Sequence, residues 1–259
     1  MVRNLSIVAV VLIGLLSGLL IKDYMSMPSR NLVIFYTSNL RGQIKPFSGP
    51  IQDQQYQQIG GLAFIKGFIA ETSKVFNFKP DEVLLLDTGD ALFGTAEASL
   101  TMGDVPLRLM GKAGYDAMTI GNLEFEYGFD RLKSFIAAGH VPMLSCNYRD
   151  VTAPVGDTFR PGLIIEKGGI KIGVIGLGHG ELARNTRQDN IVSLEIIDFK
   201  ASVQKASAQL KAHGAEIIVL LSHHPAVGNL DNPGEMFPDI DIIIGDLIGP
   251  GSVISGRPM

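Results

Sequence analysis

Short apolar runs alternate along the chain with longer stretches in which apolar residues recur every three or four positions. The first pattern predicts strands and the second helices, and their alternation predicts an α/β fold. Strands are expected at Leu32–Tyr36, Val83–Leu86, Ala117–Ile120, Met143–Ser145, Leu163–Glu166, Lys171–Ile175, Ile217–Leu221 and Ile242–Ile244. Several are apolar throughout, as strands covered on both faces are. Helices are expected at Leu62–Phe76, Val105–Ala113, Asp130–Ala138 and Phe199–Ala212, the last ended by Gly214. Gly168-Gly169 reads as a hairpin turn, and the Gln-rich stretch Gln52–Gln58 as a polar loop.

One run is longer than any strand needs. Leu5–Ile21 holds seventeen residues without a charge, preceded by Arg3 and followed by Lys22 and Asp23. This suits a single transmembrane anchor over residues 5–22, with residues 1–4 cytoplasmic and a linker over 23–30. The chain from 31 to 259 would then be one domain on the periplasmic or extracellular side. A cleaved signal peptide and a buried core helix are the alternatives; no small-x-small cleavage site follows the run, and no cysteine for a lipid anchor. The run also accounts for a mean hydropathy of +0.24.

Composition narrows the function classes. The 259 residues carry a net charge of -4, so nucleic acid is not expected as a partner. The single cysteine, Cys146, excludes a disulfide framework and reads as a buried thiol.

In open α/β sheets ligands collect beyond the carboxyl ends of strands. Five expected strand ends are followed by Asp, Asn or His. These are Asn39-Leu40-Arg41, Asp87-Thr88-Gly89-Asp90, Gly121-Asn122-Leu123-Glu124, Ser222-His223-His224 and Gly245-Asp246-Leu247-Ile248. Singly, each is ordinary turn or capping chemistry. His179, in Gly178-His179-Gly180, reads as a loop histidine with no second ligand beside it, and Asp87 as a turn acceptor.

Taken in order, the five ends resemble the calcineurin-like metallophosphoesterases, in the branch of the 5′-nucleotidases and thiosulfohydrolases. The clearest matches are Gly114–Gly128 (GYDAMTIGNLEFEYG) and Leu85–Thr95 (LLDTGDALFGT), and the resemblance extends over about residues 31 to 249. It implies a four-layer αββα sandwich, here C-terminally shortened and preceded by the anchor. It also implies a pair of metals that activate water and clamp a phosphate.

Carried over position by position, the pattern is incomplete. The family's opening Asp-x-His is Asn39-Leu40-Arg41, its catalytic histidine is Leu123, and its closing Gly-His-x-His is Gly245-Asp246-Leu247-Ile248. One metal position would therefore be degenerate, built from Asn39, Arg41 and Ile248 around the shared Asp90. The other, Asp90, Asn122, His223 and Asp246, retains donors for one divalent ion, with Mn, Zn, Mg, Fe and Ca not distinguished. Arg41 is expected to pair with Asp90 or Asp246 in place of the lost ion, the alternative being that it points to solvent. The resemblance implies no cofactor or one metal ion, and no catalytic residue at position 123.

Two functions follow as expectations. One is a non-catalytic, membrane-anchored accessory subunit whose shortened second sheet is covered by other protein subunits. The other is a single-metal phosphoesterase acting on phosphate esters, with His224 as a spare acid or base. A relict cleft binding a small anion is a third.

Overall fold

The computed structural model describes residues 30–51, 54–154, 158–228, 233–245 and 253–255. The expected anchor at 5–22, the linker at 23–30 apart from Arg30, and Asp246 and Ile248 lie outside the described residues. Among the described residues no helix is long and apolar enough to cross a membrane.

From Leu32 onward the chain folds as one unit around two sheets. The first has the order β1 (Val33–Thr37), β4 (Val83–Asp87), β5 (Ala117–Thr119), β6 (Met143–Leu144), all parallel. The second has the order β13 (Val253–Ser255), β12 (Ile242–Gly245), β11 (Ile217–Ser222), β9 (Ile170–Leu177), β8 (Gly162–Lys167). Here β9, β11 and β12 are parallel, and the two edge strands run antiparallel. A small ladder joins β7 (Tyr148–Asp150) to β10 (Leu194–Ile196).

Alternation along the strands builds the layers. Leu84 and Leu86 face inward with Val174, Val219 and Leu221, forming the core between the sheets. Leu85 and Met118 face outward beneath helices α1 (Leu62–Phe76), α2 (Asp104–Ala113) and α3 (Phe129–Ala138). On the far side Ile218 and Leu220 meet Val203 and Ala206 of α4 (Phe199–Ala212). The order helix, sheet, sheet, helix is the expected αββα sandwich. The sheets approach closely at Gly176, where a Cβ would lie 2.4 Å from the Leu144 carbonyl oxygen.

The expected strands and helices appear with ends shifted by one or two residues. Gly168 and Gly169, both at positive φ, make the tight β8–β9 turn. The loop expected at Gln52–Gln58 is corrected: β2 (Phe47–Ile51) and β3 (Gln54–Ile59) form a two-stranded antiparallel ribbon. Its glutamines stay in water, so no buried face imposes the apolar alternation by which a strand is read.

Candidate active site

The carboxyl ends of β1, β4, β5, β9 and β11 open on one cleft of about 820 Å³. Asn39, Arg41, Asp90, Asn122, Leu123 and His223 all line it, as do His179 and Asn185. Six of the eight site positions named from the sequence, with Leu123 counted, are thus brought together; Asp246 and Ile248 are not among the described residues.

Backbone hydrogen bonds pin the first two loops together. Arg41 N–H donates to the Asp90 carbonyl at 2.9 Å, and Gly42 N–H to the Ala91 carbonyl at 2.7 Å. Asn39, Arg41 and Asp90 all adopt left-handed backbone conformations, with φ of 52°, 49° and 58°. Asn and Asp tolerate that region, whereas arginine is held there at a cost.

Glu124 organises the β4 and β5 ends. It is fully buried, and its two carboxylate oxygens accept the N–H groups of Asp90, Ala91, Leu92 and Gly121 at 2.7–3.2 Å. Burial, and then the nearby Asp90 charge, raise its pKa, while the donated hydrogen bonds oppose that shift. Gly121 has to be glycine here, because a Cβ would come within 2.3 Å of Asp90 Oδ1.

Asp90 is 4% exposed and uses Oδ1 twice. It accepts the Leu123 N–H at 2.8 Å and faces His223 Nε2 at 3.3 Å. The other ring nitrogen of His223, Nδ1, lies 2.8 Å from the Thr88 carbonyl. A carbonyl only accepts, so Nδ1 carries a proton and Nε2 is turned to Asp90. That orientation, with a backbone carbonyl behind the ring, is how metal-ligating histidines are held.

Asp87, also fully buried, belongs to the wall and not to the cleft lining. It accepts the Thr37 hydroxyl at 2.6 Å and the Gly89 N–H at 2.8 Å, as the turn acceptor expected. Burial above all raises its pKa from 3.8 to about 7.

The two metal positions differ in chemistry. At the first, Arg41 is a fixed cation that donates only, and Asn39 supplies a neutral amide, so the described residues do not fit an ion there. At the second, Asp90 Oδ1 and His223 Nε2 stand 3.3 Å apart. Two ligands each about 2.1 Å from one ion lie about 3.0–3.4 Å from each other, so this pair fits a single ion, and Asn122 lines the same cleft. Such an ion would supply Lewis-acid charge at the cleft. Among the described residues no three His, Cys, Asp or Glu side chains form a ligand group.

Arg41 does not pair with Asp90, and Asp246, its other expected partner, lies outside the described residues. Its side chain is exposed in the cleft, and Asp90 pairs with His223 instead. A doubly protonated His223 would supply the counter-charge of the buried carboxylate without a guanidinium.

His179, expected as a loop histidine with no second ligand beside it, lines the cleft. It is 9% exposed at the end of β9, its Nδ1 accepts the Glu181 N–H, and its ring centroid lies 6.1 Å from that of His223. The signal was available, since His179 follows a buried strand as the other cleft residues do. His224 is the reverse case. Its Nδ1 accepts the Ala226 N–H and its ring lies 4.5 Å from that of Phe199, so it closes a turn and does not line the cleft.

No protein-family model matches the chain. A probable 5′-nucleotidase of Treponema pallidum is 32% identical over 166 residues, which are 62% of this chain and 28% of that protein. Among solved structures, a 5′-nucleotidase precursor from Thermus thermophilus superposes with a TM-score of 0.71 at 24% identity. That match covers 83% of this chain and 41% of the other. A calcineurin-like phosphoesterase from Bacillus subtilis superposes at 0.67 and 22% identity, covering 84% and 72%. These structural likenesses carry the fold. The chain spans less than a third of the length of the Treponema protein.

Proposed function

From a domain of the calcineurin-like metallophosphoesterase superfamily, in its 5′-nucleotidase branch, we propose a protein that has kept the fold and lost the hydrolysis. It would be a membrane-anchored accessory subunit, held by residues 5–22 with its folded domain on the periplasmic or extracellular side. The observation that carries this reading is Leu123. It lines the cleft directly after Asn122, where the family motif has its catalytic histidine, and a hydrocarbon cannot move a proton. Arg41 adds a permanent charge where the family places a metal ligand.

Other protein subunits are the proposed partners. Among the described residues β13 ends the second sheet, and an unpaired edge invites another chain.

The spacing of Asp90 and His223 favours a second reading at the same site, a single-metal phosphoesterase. Both readings hold at most one ion. Metal analysis of the full chain purified in the presence of Mn, Zn and Mg is therefore expected to find no more than one divalent ion per chain. Two tightly held ions would contradict both.

A further inference from the structure

Helix α1 buries one residue, Leu62, and leaves large apolar side chains in water. Phe64 is 48% exposed, Phe68 65% and Val75 73%. These three recur at spacings of four and seven, which places them on one stripe. Beside the stripe runs a groove of about 370 Å³ between α1 and β1, the edge strand of the first sheet. Phe68 stands edge-on to Phe35 across it, with ring centroids 6.2 Å apart. Phe47, on the β2–β3 ribbon, extends the patch beside Gly60. Five of the eleven large hydrophobic residues exposed among the described residues fall between positions 47 and 76, so this is a patch and not scatter.

We infer that this face lies against a lipid surface, with Phe64 and Phe68 entering the interface. The inference rests on the anchored reading above. Lipid is selected over a protein occupant by where the chain's uncharged run ends. Eleven residues separate Ile21 from Val33. Fully extended, that length spans at most about 40 Å, so a bilayer holding Leu5–Ile21 stays within reach of β1. Val33 pairs with Val83, and only six residues join Phe76, at the end of α1, to Val83. The tethered end of β1 and the far end of the stripe are therefore at the same end of the domain. Charge agrees: α1 carries Lys66 and Lys74 against a single acid, Glu71, a balance that anionic headgroups attract.

The chain contains no tryptophan, so F68W places a single indole on this face. V192W, at a residue 81% exposed elsewhere, is the control. The full chain is reconstituted into phosphatidylcholine–phosphatidylglycerol vesicles, and flotation with the vesicles is scored first. F68W emission is expected to shift to the blue and to lose about half its intensity or more to lipids brominated along the upper acyl chain, the depth interfacial faces reach. V192W should do neither. Emission like that of a water-exposed indole, quenched by aqueous iodide, would overturn the inference while leaving the anchor intact. A blue shift that brominated lipid does not quench would mean a protein covers the face, and would overturn it too. A chain that fails to float removes the anchored reading itself, and this inference with it.

Discussion

Glu124→Gln is expected to destabilise the domain by about 2–6 kcal/mol, since it leaves two buried donors unmet at about 1–3 kcal/mol each. The carboxylate accepts four backbone N–H groups, two on each oxygen. A glutamine keeps one oxygen and turns an NH₂ group toward the other two donors. The residue is fully buried, so no water replaces the lost acceptor. The measurement is a urea titration, with the midpoint lowered and the slope unchanged. A variant as stable as the parent would mean that Glu124 is protonated in the fold, with burial outweighing its four donors.

With no ion bound, Asp90 and His223 attract only when both ring nitrogens carry protons; His223→Ala should then cost about 3–5 kcal/mol in chelator, because it strands a buried carboxylate. Asp90 and His223 are both 4% exposed, and the ring also occupies the Thr88 carbonyl. The control is a double-mutant cycle with Asp90→Asn. Once the carboxylate is neutral there is no charge to strand, so the two losses should sum to clearly more than the loss in the double variant. Simple additivity would mean that the 3.3 Å approach carries no pairing energy.

The sequence made some of this legible for a physical reason. Strands such as Leu84–Leu86 and Ile218–Leu221 are buried on both faces, so their apolar runs announce them. The β2–β3 ribbon is buried on neither, and its glutamines carry no such mark. At the site, Asp90, Asn122 and His223 were readable because each follows a strand end in a fixed order. His179 follows one as well, but no motif names it, and only the superposed loops bring it to the cleft. The role of Glu124 was hidden for another reason: its four donors come from the β4 and β5 loops, about thirty residues apart in the chain. Arg41 reaches the expected cleft, where Asp90 faces His223; the other expected partner, Asp246, lies outside the described residues. A charge argument could require a counter-ion for Asp90, but not choose between a guanidinium and the His223 imidazole.

The central claim is that a phosphoesterase fold is present here without hydrolysis, and aryl-phosphate turnover tests it most directly. The full chain and its Asp90→Asn variant are assayed side by side with Mn, Zn, Mg, Fe and Ca in turn. The account predicts equal rates with every ion. A parent rate about tenfold or more above the variant with any one of them would contradict it and show metal-dependent hydrolysis that needs Asp90.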